Sequence, residues 1–218
     1  MNNALSSNTI FLTVEGIEGV GKTTAIQYIQ HYLTTYQQAH IVTREPGGTR
    51  IAEELRRILL TSPTDEPITP QTELLLMFAG RSQHIDHVIL PALQSSKWVV
   101  CDRFVDASYA YQGGGRQLPM EQIIALDRLV VQSLQPSCTI LLDAPPEVGL
   151  MRAKNRSQYD RIEQEKIEFF ERVRAVYLER AQRYSARFHV IDATESLEKV
   201  HHRIKLILDQ LLRSETLQ

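Results

Sequence analysis

The run Gly16-Ile17-Glu18-Gly19-Val20-Gly21-Lys22-Thr23 carries the clearest chemistry in the chain, a complete G-x-x-x-x-G-K-[ST] pattern. Its glycines let backbone N–H groups wrap phosphate oxygens, and a helix that starts there turns its positive end toward them. Lys22 would reach a transferred phosphoryl group, and Thr23 would ligate Mg²⁺. The glycines run G-x-x-G-x-G and are followed by Lys-Thr, which excludes a dinucleotide fingerprint. The expected ligand is a nucleoside triphosphate held by Gly16, Ile17, Glu18, Gly19, Val20, Gly21, Lys22 and Thr23.

Two more segments follow apolar runs, Thr43-Arg44-Glu45-Pro46-Gly47-Gly48-Thr49 and Asp102-Arg103-Phe104. Guanidinium groups suit bidentate capture of phosphate, so Arg44 and Arg103 point to a second phosphate site. The competing account is that each pairs only with its neighbouring carboxylate, Glu45 or Asp102. Asp102 also ends an apolar strand and is a candidate Mg²⁺ contact, although Asp143 and Asp192 end strands too. Glu18 is out of place among phosphate donors, because the ligand would repel it. Either solvent makes it harmless or it faces a hydroxyl or a metal ion on the acceptor side; the second reading is adopted. The basic run 152–161, with four positive charges and one negative, is either a solvated turn or a lid that closes over the triphosphate.

These residues need a frame that brings them to one edge. Short apolar runs at 9–14, 39–43, 98–101, 139–142 and 188–191 read as strands. Helical patterns lie between and after them, at about 22–36, 50–60, 72–93, 120–134, 147–154, 165–184 and 197–212. Such alternation predicts βαβ units and a doubly wound α/β sheet covered on both faces, with ligands beyond the carboxyl ends of the strands. No internal repeat or linker divides the chain, so one domain over 9–213 is expected, after a flexible tail at 1–8.

Composition narrows the partners. With 24 Lys+Arg against 26 Asp+Glu the net charge is −2, which gives no basic excess for a nucleic acid or an anionic membrane. No apolar run approaches a membrane span, and the N-terminus lacks a signal-peptide pattern. Cys101 and Cys138 both sit in apolar runs and read as buried free thiols of a reducing compartment, hence a cytoplasmic protein.

Taken together, these residues make the chain similar to the bacterial thymidylate (dTMP) kinases, nucleoside monophosphate kinases of the P-loop class. The resemblance covers about 10–194. It rests on Gly16–Thr23, Thr43–Thr49, Asp102–Phe104, Tyr111-Gln112-Gly113-Gly114-Gly115-Arg116, Leu142-Asp143, the run 160–165 and Ile191-Asp192-Ala193-Thr194. It implies a five-stranded parallel core flanked by helices, a short lid, a homodimer, and transfer of the ATP γ-phosphoryl to dTMP for dTTP synthesis, with Mg²⁺. By position, Glu18 resembles the carboxylate that holds the sugar 3′-hydroxyl, and Arg44 and Arg103 resemble the acceptor-phosphate arginines. Arg81 would hydrogen-bond the thymine with help from Ser108, Tyr111 would crowd out a 2′-hydroxyl, and Gln112 would join the dTMP site. A P-loop glutamate with lid arginines matches the type whose catalytic arginine comes from the lid, and Arg156 fits best. The family usually places Phe four residues before the thymine-binding arginine, but here Met77 stands there and Phe78 follows. Either Met77 covers the base, or the helix turns slightly and Phe78 stacks.

An acceptor that is already a phosphate is anionic near neutral pH and needs no general base. What it needs is charge to hold two polyanions in line. Lys22, Arg103 and Arg156 are expected to supply that charge, with Glu18 orienting the acceptor. Another P-loop kinase, acting on a nucleoside or a different monophosphate, is the nearest alternative. A nucleotide-dependent switch is a distant one, since Asn-Lys-x-Asp does not occur.

Overall fold

The computed structural model describes residues 9–61, 66–153 and 161–216. Five strands form one parallel sheet: β1 (Phe11–Glu15), β2 (His40–Arg44), β3 (Trp98–Asp102), β4 (Cys138–Asp143) and β5 (Phe188–Asp192), in the spatial order β2-β3-β1-β4-β5. The three inner strands are almost wholly buried, whereas β2 and β5 alternate with exposed positions, as edge strands do.

Helices cover both faces. Alternate residues of β1 point to opposite layers: Leu12 and Val14 pack in one cluster with Ile29, Leu33 and Phe170, while Phe11 packs in a second with Leu74, Phe78 and Ile89. Each such side chain, fully buried, stabilises the fold by about 1.5–3 kcal/mol. The first layer is built from α1 (Lys22–Thr35), α8 (Ile167–Arg183) and α9 (Leu197–Thr216). The second is built from α3 (Pro70–His84), α4 (Leu90–Gln94) and α6 (Met120–Val130). The remaining helices are α2 (Arg50–Leu60), α5 (Val105–Ser108) and α7 (Pro146–Ala153).

The periodicity over 72–93 predicts one helix, and the structure breaks it. A π-helical turn at Ile85–Ile89 separates α3 from α4. Pro91 lacks an N–H, and its ring crowds the carbonyl four residues back, so the chain widens just before it. A second π-helical run, Tyr109–Gly115, has no apolar periodicity and is not predicted. Its glycines let α8 approach: a Cβ on Gly114 would lie 2.8 Å from the Arg172 carbonyl oxygen, and one on Gly115 would lie 2.5 Å from the Phe169 ring. No helix among the described residues is long and apolar enough to cross a membrane.

Candidate active site

The carboxyl ends of β1, β2 and β3 open into a cleft of about 380 Å³ whose wall includes Glu18, Lys22, Thr23, Arg44, Met77, Asp102, Arg103, Tyr111 and Gln112. With Arg56, Leu59 and Leu60 of one further stretch and Arg161 and Ile162 of another, residues from seven separate stretches of chain meet there.

At one end lies the glycine loop. Gly21 takes a left-handed φ of 95° at the start of α1. Gly19 packs so tightly on α7 that a Cβ would fall 1.8 Å from the Gly149 carbonyl oxygen. Lys22 Nζ donates to the carbonyls of Gly16 (3.1 Å) and Ile17 (2.9 Å), which hold the ammonium over the loop. Burial, with the nearby Arg103 charge, pushes this amine down to about 8. Thr23 lies in the first turn of α1 and borders the same cleft. Asp102 Oδ1 is buried and has no hydrogen-bond partner among the described residues. A buried carboxylate oxygen without a donor is what a bound cation would satisfy.

The middle of the cleft is organised by Arg103. Its φ of 67° is left-handed, costing a non-glycine residue on the order of 1–3 kcal/mol, and such a turn persists only where its surroundings hold it. The hold is dense. Arg103 N–H donates to Val14 O, its Nη1 donates to Gly16 O (2.8 Å) and to the Tyr177 hydroxyl (3.3 Å), and its Nη2 donates to Glu18 Oε1 (2.8 Å). Burial works against the Arg103 charge, but Tyr111 and Glu18 outweigh it and keep the group protonated well above its ordinary range. The Tyr111 hydroxyl also donates to Glu18, at 2.7 and 2.8 Å. Glu18 is thereby held between Arg103 and Tyr111 in the middle of the cleft. Arg44 reaches the cleft from the edge of the sheet, and its ion pair with Glu53 (2.9 Å) is open to solvent, with side-chain exposures of 52% and 41%.

At the far end, Met77 lines the cleft and Phe78 does not: Phe78 is 1% exposed in the second core layer, under the Arg81 guanidinium at 4.6 Å. Arg81 is itself buried. Its Nε donates to Glu45 (2.7 Å), Nη1 to Ser108 (3.0 Å) and Nη2 to the Phe104 carbonyl (3.1 Å). His84 completes the set, with Nδ1 at 3.1 Å from Glu45 and Nε2 at 2.7 Å from the Thr43 hydroxyl. Gln112 donates to Glu73 (2.8 Å), and its carbonyl oxygen is buried with no partner among the described residues. Glu73 also receives Arg116 and Arg161. Burial opposes its charge, but Arg116, Gln112 and Arg161 outweigh that and hold Glu73 below the usual carboxylate range.

A model of the thymidylate kinase family matches residues 14–204, which span the glycine loop and every wall of this cleft. The chain belongs to the thymidylate kinase family. Curated thymidylate kinases from Pseudomonas putida and Vesicomyosocius okutanii are 49% and 46% identical to it over 203 and 201 residues. Those alignments cover 93% and 92% of this chain and 96% and 98% of the relatives. The crystal structure of thymidylate kinase from Ehrlichia chaffeensis superposes with a TM-score of 0.75 at 31% identity, covering 93% of this chain and 99% of that one.

Within this member of the thymidylate kinase family the cleft gathers most of the residues singled out from sequence. Phe78, Arg81 and Ser108 stand behind its wall, and Arg156 lies outside the described residues. Glu45, Glu73, His84, Glu15 and Tyr177 escaped sequence reading as parts of the site. For two of them, Glu73 and His84, a signal existed: Glu73, Met77, Arg81 and His84 recur at spacings of four, four and three, one stripe of α3. Glu15 is buried on β1, accepts Phe104 N–H and the Tyr177 hydroxyl (2.7 Å each), and is raised by burial and by Asp106 to about 8.

Proposed function

We propose that the cleft phosphorylates dTMP in line, with the donor phosphates on the glycine loop and the acceptor phosphate between Arg44 and Arg103. As a member of its family the chain is a dTMP phosphotransferase of nucleotide synthesis that uses ATP. The observation that carries the placement is the single cleft running from Lys22 to Met77, with Arg103 bonded to both Gly16 and Glu18 at its waist.

The donor triphosphate takes the place of the carbonyls around Lys22, whose ammonium then meets the transferred group. Thr23 and Asp102 would hold Mg²⁺, which neutralises phosphate charge when bound. Arg44 and Arg103 hold the acceptor phosphate against its repulsion from the donor. Glu18, oriented by Tyr111 and Arg103, receives the sugar 3′-hydroxyl, and the Tyr111 ring fills the space beside the sugar where a 2′-hydroxyl would stand.

At the base end Met77 covers the ring face. The orphan Gln112 oxygen can only accept, which suits the N3–H of thymine and opposes the bare N3 of cytosine. Arg81 has five N–H groups and gives three to protein, leaving two for a thymine carbonyl. Arg156 would bring charge from the lid. The exposed apolar side chains Ile51, Ile58, Leu75 and Leu129 on α2, α3 and α6 suit a homodimer face; sedimentation of Leu75→Glu would then show monomer. The buried unpaired thiols of Cys101 and Cys138 suit a cytoplasmic setting.

An ADP-release assay with MgATP against dTMP, dUMP, dCMP, AMP, GMP and thymidine tests the assignment. Strong preference for dTMP is expected, and thymidine should be inert because it leaves Arg44 and Arg103 unmatched. Equal turnover of dCMP would overturn the Gln112 reading.

A further inference from the structure

We propose that Glu15 is a positioning residue for the acceptor phosphate, holding Arg103 in its left-handed turn through the Phe104 N–H and the Tyr177 hydroxyl. The inference rests on Arg103 being the acceptor-phosphate ligand. Glu15 is fully buried at the end of β1 and lines no part of the cleft. One of its oxygens accepts Phe104 N–H at 2.7 Å, so the residue immediately after Arg103 is pinned to the central strand. The other accepts the Tyr177 hydroxyl at 2.7 Å, and that hydroxyl takes Arg103 Nη1–H at 3.3 Å. One carboxylate thus braces both the backbone and the side chain of Arg103. A strained φ needs such bracing, because the relaxed backbone would swing the guanidinium away from Gly16 and Glu18. Tyr177 comes from α8, which reaches this depth only because Gly114 and Gly115 admit it.

The test compares binding of dTMP with binding of thymidine, which shares the base and sugar but lacks the phosphate. In Glu15→Met the Kd of dTMP should rise roughly 10-fold, while those of thymidine and ATP stay within about two-fold. Tyr177→Phe removes only the bridging hydroxyl and should show the same selectivity, which keeps the test alive if Glu15→Met does not fold. Glu15→Gln keeps an oxygen for Phe104 N–H and should lose less than Glu15→Met; the reverse order would count against the proposal. In an Arg103→Ala background the selective loss should vanish, since its carrier is gone. Equal weakening of dTMP and thymidine by both Glu15→Met and Tyr177→Phe would overturn the proposal. If Arg103→Ala itself leaves the dTMP-to-thymidine ratio unchanged, the reading of Arg103 fails and the inference falls with it. A selective loss in Arg103→Ala with none in Glu15→Met or Tyr177→Phe overturns the inference alone.

Discussion

The two ends of the cleft are built by different means. The end proposed for the donor is one contiguous loop that would bind phosphate through backbone N–H groups, and its one cation, Lys22, rests on two carbonyls that a ligand can displace. The end proposed for the acceptor draws side chains from the P-loop, α3, β2, β3 and the Tyr109–Gly115 run, and nearly every charge there already has a partner. Arg81 and Glu45 are 0% and 2% exposed and bonded to each other, Glu18 holds Arg103, and Glu73 takes two arginines and an amide. A flexible polyphosphate tolerates an adaptable cradle, but choosing one base and one sugar requires groups that do not move.

The sharpest break of this contrast is at Arg81. Arg81→Ala strands Glu45 in the interior with only His84, which should cost about 3–5 kcal/mol of unfolding free energy by urea titration. Arg44→Ala removes an exposed ion pair and should cost at most about 1 kcal/mol, with its effect on dTMP KM instead. Equal stability losses in the two variants would erase the distinction between a braced and an open arginine.

At the donor end the expected loss is catalytic. Lys22→Met should lower kcat roughly 10²–10³-fold while leaving the melting temperature near that of the parent, because the side chain holds only loop carbonyls. Near-normal turnover would remove Lys22 from the chemistry.

The same contrast explains what could be read before the structure. The glycine loop is local, so its eight residues declare both their conformation and their ligand. The inner strands also declare themselves, because burial on both faces leaves unbroken apolar runs such as Trp98-Val99-Val100-Cys101. The base platform does not. Leu74, Leu75, Leu76, Met77 and Phe78 are all apolar, and a single helical step decides which faces the cleft. Nor could spacing reveal that Tyr177 meets Glu15 across 162 positions, since that contact depends on how closely α8 approaches a glycine run. The register over 72–93 slipped at Pro91, whose missing N–H overrides the apolar period.

A pH titration sharpens the donor side further. With the Lys22 amine lowered from 10.5 to about 8, the free enzyme loses this proton as pH rises through about 8, so kcat/KM for ATP should fall up to tenfold per unit above it. Bound phosphate favours the charged form, so kcat should hold to higher pH. For stability the sign is opposite. Between about 8 and 10.5 the unfolded chain binds the lysine proton and the folded apoprotein does not, so the Lys22 contribution raises unfolding free energy with pH. Lys22→Met should remove that rise, and a kcat that fell in parallel with kcat/KM would show that phosphate does not reach the amine.

The smallest effect belongs to the residue that sequence left undecided. Met77 is half-buried in the cleft wall and Phe78 is packed beneath Arg81, so a ring placed at 77 gains access to the base without disturbing the core. Met77→Phe should tighten dTMP by about 2–10-fold through stacking, with little change in ATP affinity or melting temperature. Met77→Ala should weaken dTMP by a comparable factor through loss of the covering thioether. If neither substitution moved dTMP affinity, the base would not lie against α3 at this turn, and the braced end of the cleft would be selecting its substrate by the edge contacts of Gln112 and Arg81 alone.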